Sequence, residues 1–137
     1  MNSVKLVEDF CARVLTARNP NAVDWFVADG FSIRTNGSGV TSLADAKRVV
    51  FPVLSRLDDF KFTLAEVFQN EDGSRVISHW RVQGNFNEAK SGPGRPTHLT
   101  CGGMTVWAFR EDGKLLHSWI EQSTWEWLQR VHLRLNG

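Results

Sequence analysis

Several features are scarce in this sequence, and each scarcity excludes a class of protein. The two cysteines, Cys11 and Cys101, lie far apart in apolar contexts, so they are predicted to be reduced core thiols and not a disulfide framework. No apolar run approaches the roughly 18 residues of a membrane span. The net charge is only +1, from 16 Lys and Arg against 15 Asp and Glu, which offers no electrostatic footprint for nucleic acid or an anionic membrane. A small molecule is therefore the expected partner.

Targeting and cofactor signals are scarce as well. The N-terminus lacks the basic and then apolar layout of a signal peptide, which together with reduced cysteines predicts a soluble, cytoplasmic protein. The sequence has no phosphate-cradling glycine motif and no dinucleotide fingerprint, so no cofactor is expected. His79, His98 and His117 fall on three predicted strands, but the strand register proposed below does not bring His98 to the other two. No metal site is predicted for that reason.

Large aromatic side chains are what the sequence holds in quantity. Six Trp and nine Phe with no Tyr supply broad apolar surfaces with few hydroxyl groups. This choice suits a roomy apolar pocket, although the packing of a core would use the same residues. The 137 residues match one domain that can bury a core without disulfides or metals, so a single domain over residues 1–137 is expected.

Hydrophobic spacing predicts helices in the first part of the chain. Apolar residues recur at helical spacing over residues 3–18, which indicates an amphipathic helix. A short second helix is expected from Pro20 to about Ala28, closed by Gly30, and a brief strand follows it. A third helix is expected after Ser42, which is placed to form a capping box with Asp45.

From Phe60 onward the hydrophobic period changes to two, which is typical of strands. A last helix is expected to open at a capping box formed by Ser123 and Glu126. The element order predicts an α+β fold, with N-terminal helices, then a curled antiparallel meander, then a C-terminal helix. The predicted strands of the meander are residues 60–68, 74–86, 97–109 and 114–122.

Two of these strand segments resemble a known family. "DGSRVISHWRVQGNF" is similar to the strand pattern D-x-V-x-x-R-W-x-x-x-G, and "EDGKLLHSW" is similar to the hairpin pattern dGKI-x-x-x-W. Because the two segments occur in this order along the chain, the sequence resembles the SnoaL-like branch of the nuclear transport factor 2-like superfamily. The resemblance covers nearly the whole chain. The resemblance implies a cone-shaped, curved antiparallel sheet wrapped around the N-terminal helices, with a pocket between them. Members include polyketide ring cyclases, isomerases, dehydratases and epoxide hydrolases, so the fold alone does not fix the reaction.

The resemblance singles out Glu121 as a candidate acid. Trp119 to Glu121, "WIE", is similar to the Trp-x-Asp of limonene-epoxide hydrolase relatives, in which the acid is catalytic. The ring cyclases carry their Asp four residues after the Trp, where this sequence has Ser123. The Arg-x-Asp pair of the hydrolases corresponds here to His79 and Arg81, so the charge pattern is altered.

The lengths of the turns predict which of these side chains meet. If the turn after Arg110 has three residues and the loop near Gly92 pairs its flanks evenly, the candidate residues share one face of the sheet. Glu121 and Arg81 would then approach each other across Gly103, which has no side chain. The side chains predicted on this pocket-lining face are Glu121, Arg81, His79, Thr105, Trp107 and Trp119.

A cluster of this kind would support proton transfer. An apolar pocket disfavours the charged form of Glu121, whereas a nearby Arg81 holds it ionised. We predict Glu121 as the acid or base, His79 as a second proton carrier and Arg81 as the stabiliser of a developing enolate or alkoxide. The plainer interpretation is that Glu121 is only a buried ion-pair partner of Arg81. The predicted substrate-contacting residues are Trp119, Trp107, Thr105 and, beside the Gly-Pro loop, His98.

The sequence therefore predicts a cofactor-independent acid/base enzyme that acts on a small, mostly apolar metabolite. A cyclase or isomerase of a polyketide-like substrate is the leading hypothesis. Epoxide opening, with water or an internal hydroxyl, is the alternative among enzymes, and a non-catalytic small-molecule binding module is the alternative from another class. A homodimer is also expected, because the alternate sheet face is too apolar to remain in water. The residues predicted on that alternate face are Val76, Trp80, Val82, Met104, Val106, Leu116 and Ile120.

Overall fold

The computed structural model describes residues 1–35, 39–50, 52, 56–86 and 97–122. A helical segment begins at or next to each predicted start in the first part of the chain, but the helix types differ and the second helix is shorter than predicted. Helix α1 continues without a break into a π-helical segment, so that the two together cover residues 3–16 of the predicted range 3–18. The described helical segments are α1 (Ser3–Phe10), its π-helical continuation (Cys11–Thr16), a 3₁₀ helix (Pro20–Trp25), α2 (Leu43–Asp45) and its π-helical continuation (Ala46–Val50).

Side-chain caps explain where two of these helices begin. The side chain of Asn2 accepts a hydrogen bond from the backbone N–H of Lys5, 3.2 Å away, which satisfies one of the donors exposed at the start of α1. Ser42 caps the start of α2, because its Oγ accepts a hydrogen bond from the backbone N–H of Asp45 at 3.2 Å. The cap predicted at Ser42 is therefore confirmed.

Six strands form one mixed sheet in the order β2-β1-β6-β5-β4-β3. The antiparallel meander of the last four strands is confirmed, and each lies within a few residues of its predicted range. The predicted helix at Ser123 falls outside the described residues. The strands are β1 (Val27–Thr35), β2 (Val40–Ser42), β3 (Leu57–Gln69), β4 (Arg75–Phe86), β5 (Thr97–Phe109) and β6 (Leu115–Gln122).

The expectation that the second helix reaches Ala28 and closes at Gly30 is wrong. The 3₁₀ helix ends at Trp25, and β1 is already extended from Val27. Gly30 has φ +79°, and it lies in the irregular segment where the pairing of β1 with β6 shifts register. Strand β1 runs parallel to β6, which the sequence did not predict.

The helices cover one face of the sheet. We call this the inner face, which bears Val76, Ser78 and Trp80, and we call the opposite one the outer face, which bears Ile77 and His79. Because side chains alternate along a strand, neighbouring residues of β4 lie on opposite faces, and burial alternates with them. The buried core between the helices and the inner face consists of Val7, Phe10, Cys11, Val14, Ala22, Val23, Phe31, Val76, Trp107, Phe109 and Leu115.

Two tryptophans on the inner face are held by a reciprocal pair of hydrogen bonds. Ser78 and Thr105 are direct partners across β4 and β5. The indole N–H of Trp80 donates to Thr105 Oγ1, and that of Trp107 donates to Ser78 Oγ, each at 2.9 Å. All four side chains are buried, so these bonds satisfy polar groups that would otherwise cost about 1–3 kcal/mol each. The pair arises from the same local pattern, hydroxyl-x-Trp, on both strands.

Gly103 makes room for this arrangement. It lies directly opposite Trp80, and a Cβ at this position would come within 2.5 Å of the indole ring and within 2.5 Å of the carbonyl oxygen of Glu121. The absent side chain lets the indole of Trp80 lie across β5 and reach Thr105. The sheet and the helices together form an α+β fold, and no helix among the described residues is long and apolar enough to cross a membrane.

The burial of the two thiols predicts different reactivities. Cys11 is 3 % exposed, and burial raises its pKa to about 12, whereas Cys101 is half-buried. Because the thiolate is the reactive form, Cys11 should be almost inert at pH 8. We expect one fast-reacting thiol per native chain with 5,5′-dithiobis(2-nitrobenzoate), and two in denaturant. Cys101→Ser should abolish the fast reaction, and a fast reaction that persists in this variant would show that the core around Cys11 is open.

Candidate functional site

The register between β5 and β6 decides which side chains meet, and the predicted register is wrong by one residue. The three-residue turn is confirmed, because the N–H of Arg110 donates to the carbonyl of Lys114 at 2.8 Å. The guanidinium of Arg110 also binds Asp112 and lowers the pKa of that carboxyl to about 2. A β-bulge at Leu116 then shifts the pairing, so that Glu121 lies opposite Met104 and not opposite Gly103.

The three predicted catalytic side chains are brought together on the outer face. Across β4 and β5, Arg81 lies opposite Gly102 and His79 opposite Met104, again one residue from the predicted pairing. Glu121, His79 and Arg81 are all exposed. They line one open depression of about 340 Å³ on the face that the helices leave uncovered. The residues around this depression are His79, Arg81, Gly102, Gly103, Met104, Glu121 and Gln122.

The buried ion pair predicted between Arg81 and Glu121 is not formed. Both residues are described, and no guanidinium nitrogen of Arg81 lies within 4.0 Å of a carboxylate oxygen of Glu121. The direct cross-strand neighbour of Glu121 is Met104, which separates it from His79 by two strand spacings, roughly 10 Å. The carboxylate of Glu121 instead accepts a hydrogen bond from the indole N–H of Trp119 at 2.9 Å.

The predicted substrate-contacting residues are divided between the two faces. Trp119 lies on the outer face beside Glu121 and is 44 % exposed, whereas Thr105 and Trp107 are buried on the inner face. His98 lies near the start of β5, where its ring Nδ1 is 3.0 Å from Oδ1 of Asn85, away from the depression. The sequence analysis therefore predicted a single pocket-lining face from residues that lie on two opposite faces of the sheet.

The predicted alternate face is divided in the same way. Val76, Trp80, Val82 and Ile120 lie on the inner face, whereas Met104 and Val106 lie on the outer face and Leu116 is at the bulge. The physical reason is again the register, because a slip of one residue moves every side chain of a strand to the other face.

One region of the inner face is only half-buried. Along β4, Val76 and Ser78 are fully buried, Trp80 is 9 % exposed and Val82 is half-buried, whereas Gly84 further along is buried again. Strands β5 and β6 show the same change beside Val82, so that a half-buried apolar region lies there. We call this region the accessible half of the inner face. Its described side chains are Phe62, Val82, Cys101 and Ile120, with Trp80 at its border.

Aromatic rings form the border of this half. The rings of Phe62 and Trp80 are stacked, with centroids 6.2 Å apart and an interplanar angle of 22°. Trp80 is fixed by its bond to Thr105, so its indole N–H is already occupied. The sequence predicts Trp80 on the alternate face and does not single out Ser78. The signal that would have linked them is the hydroxyl-x-Trp pattern, which occurs in both Ser78-His79-Trp80 and Thr105-Val106-Trp107.

Ionisable groups are distributed unequally between the faces. Among the described inner-face side chains of β4, β5 and β6, Cys101 is the only one that ionises, and it is half-buried. The outer face carries Glu121, His79 and Arg81. No group of three or more His, Cys, Asp or Glu within the described residues could hold a metal ion.

Comparison with known proteins gives the class to which this fold belongs. The model of the SnoaL-like domain family matches residues 7–118, most of the chain, and the chain belongs to that family. No curated protein matches it.

Solved structures share the fold at low sequence identity. A protein from Acidithiobacillus ferrooxidans, provisionally assigned as a polyketide cyclase, is 18 % identical with a TM-score of 0.76, over 97 % of this chain and 96 % of that one. The pinacolase BvnE from Penicillium brevicompactum is 10 % identical with a TM-score of 0.79, over 100 % and 94 %. A nuclear transport factor 2-like protein from Burkholderia thailandensis is 21 % identical with a TM-score of 0.70, over 94 % and 96 %.

The exposure of Arg81 predicts that its side chain contributes little to stability. Because Arg81 forms no ion pair with Glu121, its removal leaves no buried charge behind. We expect Arg81→Ala to lie within about 0.5 kcal/mol of the native protein in urea denaturation. A loss of several kcal/mol would mean that Arg81 and Glu121 form a buried pair after all.

The hydroxyl of Thr105 is expected to matter more. Thr105→Val keeps the shape but leaves the buried indole N–H of Trp80 without its acceptor, so the free energy of unfolding should fall by about 1–3 kcal/mol. Thr105→Ser is the matched control, because it keeps the acceptor and loses only one methyl group, about 0.8 kcal/mol. Urea denaturation followed by tryptophan emission measures both, and equal losses would contradict a role for the hydrogen bond.

Proposed function

We propose that this protein binds a small, mostly apolar organic molecule on the accessible half of the inner face and converts it without a cofactor. The observation that carries the proposal is the change in exposure across Trp80, because it leaves apolar and aromatic side chains only half-buried beside a packed core. Ligand sites are commonly apolar clefts of this kind with few polar groups.

A cyclase or isomerase of a polyketide-like substrate is the reaction we propose. Membership of the SnoaL-like family supports it, as do the names of two structural neighbours, a polyketide cyclase assignment and a pinacolase. The half-buried ring of Phe62, stacked on the buried indole of Trp80, would present an apolar face to a flat, conjugated molecule. In this proposal Thr105 and Trp107 act behind the surface, Thr105 by fixing Trp80 and Trp107 as part of the core.

A second candidate site is favoured by the convergence of Glu121, His79 and Arg81 on the outer depression. If a substrate binds there, Glu121 would act as acid or base, His79 would carry a second proton and Arg81 would stabilise developing negative charge. Epoxide opening would use the same three groups. All three side chains are exposed, and proton-transfer sites gain from the exclusion of water, so we propose ligand binding first for the apolar inner face. Among the described inner-face side chains of β4, β5 and β6 only Cys101 ionises, so an acid or base for the reaction would have to come from the substrate or from outside these strands. Binding without turnover at either site would instead indicate a small-molecule binding module.

Two further properties complete the proposal. We propose a cytoplasmic location, which is supported by the two thiols, one of them deeply buried. We also propose that the protein is a homodimer, because large apolar side chains remain exposed on the outer face.

Matched substitutions on the two faces of β5 would locate the ligand. The probe is 1,8-dihydroxyanthraquinone, a flat polyketide-like molecule, and its binding is measured by quenching of tryptophan emission. Cys101→Phe narrows the accessible half of the inner face, whereas Met104→Phe enlarges a side chain in the outer depression. We expect Cys101→Phe to weaken binding at least tenfold and Met104→Phe to leave it unchanged.

If Met104→Phe weakened probe binding and Cys101→Phe left it unchanged, the ligand would lie in the outer depression. Weaker binding by Glu121→Gln would support the same conclusion. Glu121→Gln removes the charge and keeps the shape of the side chain. Once a substrate is known, turnover by this variant separates the two candidates. Full turnover would exclude Glu121 as the acid or base, and lost turnover with unchanged folding would support the second candidate.

A further inference from the structure

Three side chains of the accessible half of the inner face form a straight row across the sheet. Phe62 pairs with Val82, and Val82 pairs with Cys101, so the three lie side by side on β3, β4 and β5. All three are half-buried. The row spans roughly 10 Å across two strand spacings. We call it the inner row, and it offers a flat ligand apolar contact along a line that crosses the strands.

Trp80 closes the side of the inner row that faces the core. Its indole lies over Gly103, its direct partner on β5, where a Cβ would come within 2.5 Å of the ring. The indole N–H donates to Thr105 Oγ1 at 2.9 Å, and the ring of Phe62 is stacked on the indole with centroids 6.2 Å apart. Because contacts on several sides hold the indole in a close-packed region, a ligand cannot displace it toward the core without cost.

Leu57 closes the opposite side of the inner row. Its side chain covers Gly84, where a Cβ would lie 3.0 Å from Leu57 Cβ, and both residues are buried. The backbone carbonyl of Leu57 accepts a hydrogen bond from the guanidinium of Arg18 at 2.7 Å, which ties this end of β3 to the residues after the first helical segment. Gly84 is two residues beyond Val82 on the same face of β4. Trp80 and Leu57 therefore stand on the two sides of the inner row.

These two side chains limit one dimension of a ligand. Trp80 and Gly84 are four residues apart along β4, a distance of roughly 13 Å. A contact distance of about 3.5–4.0 Å at each side leaves roughly 5–6 Å between the outermost ligand atoms in this direction. That is close to the width of a quinone whose rings are fused in a line, and an angular isomer is wider. The limit does not act along the inner row, where the long axis of a ligand runs between Trp80 and Leu57.

We propose that Trp80 is a specificity-determining residue of the ligand site and restricts it to flat molecules whose rings are fused in a line. This inference rests on the proposed function, because it requires the ligand to bind on the accessible half of the inner face. The ligand lies over Val82 with its long axis along the inner row, and Trp80 and Leu57 contact its two long edges. Gly103 acts indirectly, since its missing side chain leaves the indole its place.

Two isomeric four-ring quinones test this restriction. Tetracene-5,12-dione is linear and benz[a]anthracene-7,12-dione is angular, and the absorbance of either one reports its binding in equilibrium dialysis. The native protein should bind the linear isomer at least about tenfold more tightly than the angular one. Trp80→Phe shortens the side chain over Gly103, so the ratio of the two affinities should fall to about threefold or less. Leu57→Ala opens the opposite side and should lower the same ratio.

Trp107→Phe is the matched control. Trp107 also donates its indole N–H across β4 and β5, to Ser78 Oγ at 2.9 Å, but its ring packs in the core against Phe10, with centroids 5.2 Å apart. The control should therefore lose a similar hydrogen bond and keep the native affinity ratio. If Trp80→Phe folds poorly, its combination with Thr105→Val removes the hydroxyl left without its donor, and this double variant should show the same fall in the ratio.

A native protein that binds both isomers equally, or a folded Trp80→Phe variant that keeps the native ratio, would overturn the role of Trp80. An equal fall in Trp107→Phe would also overturn it, because the effect would then come from loosened packing. These results would leave the ligand site itself in place, provided that Cys101→Phe weakens the binding of 1,8-dihydroxyanthraquinone. A native protein that binds none of the three quinones would instead overturn the ligand site together with this inference.

Discussion

The single extra residue at Leu116 decides which side chains of β6 lie on the outer face. Its neighbour Leu115 is 1 % exposed and is held from both sides, because its N–H donates to the carbonyl of Phe26 at 2.8 Å and it pairs with Phe109. With Leu115 fixed in the core, Leu116 bulges out, and His117 is the next residue to pair. Every later residue of β6 is thereby turned to the opposite face from the one that an even ladder would give.

The two faces that result serve different purposes. The inner face is a packed surface in which Trp80 and Trp107 are fixed by the hydroxyls of their partner strands. Its packing loosens where the described side chains become half-buried, beside Trp80, which is the surface of the proposed ligand site. The outer face has exposed apolar side chains and ionisable groups side by side, a mixture typical of surfaces that meet another protein. The richness in Trp and Phe therefore serves both core packing and surface contact.

Glu121 shows how a sequence resemblance can identify a residue and misplace it. The "WIE" similarity drew attention to a carboxylate next to Trp119, and the two side chains are bonded to each other in the structure. The bond lies on the exposed face, where water stabilises the charge on the carboxylate. A carboxylate in this position orders the tryptophan that packs beside it. Its part in chemistry depends on whether a substrate or a second chain excludes water from the outer depression.

The sequence by itself determined the α+β class, the helix that follows Asn2, the cap at Ser42 and the four meander strands, because these depend on contacts between residues close in the chain. It did not determine the early start of β1 or its parallel pairing with β6, which depend on contacts nearly ninety residues apart, such as that of Phe26 with Leu115. Alternation of apolar and polar residues shows which side chains of a strand share a face, but it does not show which face turns toward the core. For β6 that choice follows from the buried position of Leu115 and the bulge after it, and only the tertiary structure could supply it.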